Sequence, residues 1–219
     1  MVNIHIYLFL FLFTFCERKK YEKKMDYSDI KLMQIIAKKQ QEMKIVVDYQ
    51  DMNLSYFIDS TNMKVHTLSI YGYEGVLEDL YQLKYLKILK IKNFEKLPNL
   101  SKMSKKLQEL KIYKCKDSVL NINHINLKDI YISHSNIFEI IVKDKVKLEI
   151  LFVSDSNLKY LKVKKNSLNQ LNKLILIRNP IKYLDLKNLR NLKKMDLNDN
   201  YFEGTKLKNA QSMDSIMVW

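Results

Sequence analysis

Leu127-Lys128-Asp129-Ile130-Tyr131-Ile132-Ser133-His134-Ser135 returns 21 residues later as Leu148-Glu149-Ile150-Leu151-Phe152-Val153-Ser154-Asp155-Ser156. The first, fourth and sixth residues of each stretch are aliphatic, and the fourth and sixth are spaced as the inward side chains of a strand. Working outward, the same template begins at Val65, Leu86, Leu107, Leu171 and Leu192, so successive starts are 21, 21, 20, 21, 23 and 21 residues apart. The fourth and sixth positions read Leu68/Ile70, Leu89/Ile91, Leu110/Ile112, Ile130/Ile132, Leu151/Val153, Leu174/Leu176 and Met195/Leu197. No anchor is polar. A fixed period of this length predicts a solenoid in which each coil buries its core against the next.

Each template closes on a turn residue: Tyr73, Phe94, Cys115, Ser135, Ser156, Asn179 and Asn200. With this closing column the chain resembles the leucine-rich repeat family. That resemblance implies a residue that hydrogen-bonds the turning backbone of neighbouring coils, a task for which an amide that both donates and accepts is well suited. Tyr73 and Phe94 depart from the pattern, and Cys115 fits it as a buried thiol. Beyond the turn, Ile137/Ile140/Val142, Leu158/Leu161/Val163 and Ile181/Leu184/Leu186 repeat the strand alternation. The chain is therefore similar to the short bacterial repeats of about 21 residues. The expected fold is a mainly β repeat solenoid of about seven coils over residues 65–202, with a strand on each side of the coil.

Outside the repeats, residues 26–64 read as a small α/β cap. Asp26 to Met43 predicts one amphipathic helix, with Ile30, Met33, Ile36, Ala37 and Met43 on its apolar face. Lys44 to Asp48 and Leu54 to Asp59 are short strand-like runs. Residues 203–219 show no coil pattern on this reading and are expected to be a tail.

The N-terminus is a different kind of segment. Residues 1–16 carry no charged side chain, and the apolar run from Ile4 to Phe15 is shorter than the roughly 20 residues of a membrane span. It fits the apolar region of a signal peptide. Because Cys16 closes the run, it resembles a bacterial lipoprotein signal, in which that cysteine is lipidated and the segment 17–25 becomes a charged tether. Phe13 and Phe15 stand where that signal carries Leu and a small residue. An uncleaved apolar anchor and a cytoplasmic chain are the other two readings.

Composition removes whole classes of function. Only 3 Gly and 2 Pro occur, against roughly 15 and 11 at average usage, so Gly-rich phosphate loops and dinucleotide-binding turns are excluded. Two cysteines make no disulfide scaffold. The net charge of +14 rests almost wholly on lysine, with arginine only at Arg18, Arg178 and Arg190. Nucleic-acid surfaces favour the arginine fork, so a nucleic-acid partner is not expected. Neither His5, His66, His124 and His134 nor the two cysteines have zinc-ligand spacing. Glu109 and Asp129 fall side by side in adjacent coils, but solvated face charges explain them. The expectation is a protein without enzymatic activity, metal or cofactor.

What remains is a surface. On a concave strand face the outward columns read Thr67, Ile88, Glu109, Asp129, Ile150, Lys173 and Lys194, then Ser69, Lys90, Lys111, Tyr131, Phe152, Ile175 and Asp196, then Tyr71, Lys92, Tyr113, Ser133, Ser154, Ile177 and Asn198. Tyr113, Tyr131, Ile150, Phe152, Ile175 and Ile177 are expected to form one exposed patch that binds a protein partner. Coverage of the patch by the tail is the competing expectation. The favoured function is a membrane-tethered recognition module at the cell envelope. The alternative is an intracellular interaction or inhibitor protein of the same fold.

Overall fold

A computed structural model describes residues 31–32, 34–35, 55–59, 64–71, 77–143, 145–200, 206–208 and 215–217. The chain is a mainly β parallel solenoid of about six turns, built from two sheets. The first sheet contains β1 (Ser55–Asp59), β2 (Lys64–Tyr71), β3 (Ile88–Lys92), β4 (Glu109–Tyr113), β6 (Asp129–Ser133), β8 (Ile150–Ser154), β10 (Lys173–Ile177), β12 (Lys194–Asp196) and β14 (Ser215–Met217), in that spatial order. The second contains β5 (Val119–Ile122), β7 (Glu139–Val142), β9 (Tyr160–Val163), β11 (Tyr183–Asp185) and β13 (Lys206–Lys208). All pairings are parallel except β1 with β2, which is antiparallel with a register shift between Phe57 and Ile58.

The repeat template sets the register. Leu110 lies opposite Ile130, Ile130 opposite Leu151, and Leu151 opposite Leu174, so equivalent anchors stack into one continuous ladder. Every anchor from Val65 to Leu197 is at most 3% exposed. They belong to a single hydrophobic cluster that also takes in Leu120, Ile140, Leu161 and Leu184 from the second sheet. Each full turn thus adds apolar layers against its neighbour, and burial in both directions drives the stacking.

The second sheet starts only at β5. One coil earlier, Pro98, Asn99 and Ser101 occupy the positions that Val119, Leu120 and Ile122 fill in β5. Polar inward residues and a proline without an N–H are both unfavourable for a central strand. The segment instead makes a single 3-10 turn at Leu100–Lys102, capped by Asn99, whose Oδ1 accepts from Ser101 N at 3.1 Å.

At the other end the tail does not behave as the sequence reading expected. β13 continues the second sheet beside β11, and β14 continues the first, with Ile216 opposite Met195. The signal was present: Met213, Ile216 and Val218 stand 21 residues after Leu192, Met195 and Leu197. Since β14 hydrogen-bonds within the sheet, Ser215–Met217 extends the strand face and does not fold across it. Near the N-terminus, residues 31–32 and 34–35 are helical; Leu32, left off the expected apolar face, is 6% exposed, whereas Ile35 is 49% exposed. Most of the expected cap, including Lys44 to Asp48, lies outside the described residues.

Candidate functional site

The candidate site is the outer face of the first sheet, where the residues between the anchors of β3 to β12 form three columns. Tyr131 and Phe152 are register partners in the middle column, with ring centroids 6.1 Å apart at a 40° tilt. Ile150 follows Asp129 in the first column, and Ile177 follows Ser154 in the last. These side chains, with Tyr113, are half-buried.

Ile175 is a correction. Expected on the exposed patch, it is only 8% exposed. It stands between Phe152 and Asp196 in its column and between Lys173 and Ile177 on its own strand. Strands about 4.8 Å apart bring large neighbouring side chains together over an aliphatic in mid-array. Cys16 lies outside the described residues.

Charge is arranged around the aromatic residues. The Lys111 ammonium bonds Glu109 at 2.6 Å and sits 5.1 Å from the Tyr131 ring centre. Lys92 and Lys114 each lie 5.3 Å from the Tyr113 ring, and the His134 ring is 5.2 Å from it. Glu109 and Asp129 are direct register partners. Partial burial, then the nearby Glu149 and Glu109 carboxylates, push the Asp129 carboxyl above its ordinary range. Burial, then the Asp129 and Glu109 carboxylates, raise the Tyr131 hydroxyl. Among the described residues no group of three or more His, Cys, Asp or Glu side chains is placed to hold a metal ion.

One edge of this face is fixed by two backbone columns. In the closing column, Ser135 Oγ accepts from Cys115 N at 3.1 Å and donates to Ser133 O at 3.0 Å. Ser156 Oγ accepts from Ser135 N at 3.1 Å, and Asn200 Oδ1 accepts from Asn179 N at 2.7 Å. Asn179 Nδ2 donates to Ile177 O at 2.7 Å and Val153 O at 3.0 Å. Serine and asparagine therefore both tie one coil to the next, while Phe94 is fully buried and fills the column with apolar volume. Burial pushes the Cys115 thiol up to about 11, which keeps it protonated and unreactive.

The residue before each of the six closing positions from Phe94 to Asn200 adopts positive φ: Asn93 at 59°, Lys114 at 51°, His134 at 53°, Asp155 at 48°, Arg178 at 50° and Asp199 at 54°. This column is not evident in the sequence, because none of these six residues is glycine. Asn, Asp and His tolerate the left-handed region best, which makes Lys114 and Arg178 its strained members. Each coil gains from the geometry, since Lys114 N then donates to Ser133 O at 3.1 Å and Arg178 N to Asn198 O at 3.2 Å. The Arg178 guanidinium also donates to Asp155, with Nη2 to Oδ2 at 2.8 Å, and holds that carboxyl below its ordinary range.

The fold and this face define a parallel β-solenoid that displays a row of half-buried aromatic and aliphatic side chains rimmed by lysine and carboxylate. No known protein family, curated protein or solved structure matches the chain.

Proposed function

We propose that the chain is a leucine-rich repeat protein acting as a non-enzymatic recognition module, which binds a protein partner on the outer face of the first sheet. The observation that carries this reading is the Tyr131–Phe152 ring pair at the centre of the strand array, flanked by Ile150 and Ile177 and edged by charge. Aromatic anchors at the centre of a rigid surface, with polar groups around them, are how protein interfaces concentrate binding energy. The polar closing column, with Asn179 and Asn200 reaching into neighbouring coils, supports the family reading.

We further propose that Cys16, at the end of the apolar N-terminal run, carries a lipid that tethers this module to the cell envelope. A diacylated cysteine supplies the two chains that stable anchoring needs. Both parts are tested with the full chain in a bacterial host. Lipidation requires that the parent incorporate labelled fatty acid and that Cys16→Ser not do so; a parent that takes up none overturns it and leaves the intracellular reading. Recognition requires that Phe152→Asp abolish capture of a partner while the fold persists. An unfolded Phe152→Asp, or undiminished capture, overturns it.

A further inference from the structure

We propose that the open edge of β5, on the sheet opposite the aromatic face, binds an extended peptide segment that adds to the second sheet as a parallel strand and ends in an acidic group beside Lys143.

β5 is the terminal strand of the second sheet and pairs only with β7 among the described residues. Ser118 O accepts from Glu139 N at 3.2 Å, which sets the alternation along the strand. Leu120 and Ile122 turn their backbone groups towards β7, so Val119 and Asn121 turn theirs to the other side, where Val119 N donates to Asp117 Oδ1 at 3.5 Å and the Asn121 N–H faces the cavity edge. Beside that edge lies a cavity of about 410 Å³, lined in part by Leu97, Pro98, Leu100, Asn121, Asn123 and Lys143. The cavity occupies the place where the preceding coil has a 3-10 turn in place of a strand. Its volume falls within the range of ordinary ligand pockets.

Two features point to a peptide. A parallel sheet edge offers alternating N–H and C=O groups that another extended backbone matches along its length, the basis of recognition by strand addition, and here the Asn121 N–H is the donor it presents. Asn123 also lines the cavity, and its buried Oδ1 has no hydrogen-bond partner among the described residues. Polarity follows from the ends of the slot. Asp117, at the start of β5, already accepts from Leu97 N and Ser118 N, each within 2.9 Å. Lys143, exposed and next after Val142, the register partner of Ile122, lines the cavity and so sets a cation near the C-terminal end of the slot. The four residues of β5 give such a strand about 13 Å of edge, at about 3.3 Å per residue.

The probe is an acetylated hexapeptide of alternating valine and threonine ending in glutamate, with a second version ending in lysine. Binding to the full chain is read by fluorescence anisotropy, with folding checked by thermal melting. The glutamate peptide should bind at least fivefold tighter than the lysine peptide. Asn121→Ala, which keeps the backbone N–H, should bind within threefold of the parent. Asn121→Pro, which removes it on the side away from β7, should bind at least tenfold more weakly. Lys143→Glu, at an exposed site, should invert the preference between the two peptides, which keeps the test open even if the proline variant does not fold. No binding of either peptide, equal loss in the alanine and proline variants, or an uninverted preference in Lys143→Glu would overturn the proposal.

Discussion

Tyr131 of β6 faces Phe152 of β8 across one step of the sheet, their ring centres 6.1 Å apart and tilted by 40°. Tilted aromatic pairs at this separation contribute about 0.5–1.5 kcal/mol beyond the area they bury. A double-mutant cycle of Tyr131→Ala and Phe152→Ala, read by urea denaturation, should therefore give a coupling energy in that range. A coupling near zero would mean that the rings are free for a partner without bracing one another.

Leu151 is fully buried in the anchor ladder, whereas Lys162 on the outer face of the second sheet is exposed and paired with Glu139. Truncating Leu151 to Ala should cost about 2–5 kcal/mol, the usual range for a core Leu. Lys162→Ala should change stability by less than about 0.5 kcal/mol. Equal effects would place the inside–outside alternation one residue out of step.

Lys114 holds φ at 51° in a column shared with Asn93 and His134. The left-handed region costs a branched-Cβ-free but bulky L-residue about 1–2 kcal/mol, and glycine avoids that cost while losing about 0.5–1 kcal/mol of chain entropy. Lys114→Gly should thus stabilise the protein by up to about 1.5 kcal/mol, net of these terms. Asn93→Gly should be closer to neutral, because Asn tolerates this region. Chemical denaturation midpoints at equal m-values decide it.

His124 is buried at 5% exposure, with Nε2 2.8 Å from Ser104 O and Nδ1 without a partner. Burial lowers its pKa below the ordinary 6.5. The unfolded chain then binds a proton more readily than the folded one. Stability is undiminished above pH 6.5, falls as the pH drops through 6.5, and stops falling once the folded-state ring is itself protonated. One proton limits the slope to about 1.4 kcal/mol per pH unit. Urea midpoints between pH 7 and 5 should fall less steeply in His124→Gln than in the parent, and identical slopes would exclude His124 as the titrating group.

The inward ladder was legible from single residues, because the strand period of two and the coil period of 21 together allow one register that buries all the anchors. Leu110, Ile130, Leu151 and Leu174 needed no coordinates to be placed. The strand at Ser215–Met217 was equally legible, since β14 repeats the template with Ile216 in line with Met195. The missing strand near Pro98 also has a written cause in Asn99 and Ser101.

The outer face was legible only as a list of columns. Sequence by itself determined which residues point outward, because that follows from local backbone geometry. It did not determine how far each is covered, because coverage depends on side chains one coil away: Ile175 closes to 8% exposure between its neighbours while Phe152 remains half-buried. Nor did it determine the left-handed column, since Lys114 and Arg178 adopt positive φ against their own preference, held by hydrogen bonds to the next coil. The cavity beside β5 is of the same kind. Pro98 explains why a strand is absent there, but only the packing of Leu97 and Leu100 against the solenoid leaves a space of about 410 Å³ at an open sheet edge. Periodicity decides what is buried along the chain, and contacts between coils decide what is left for a partner.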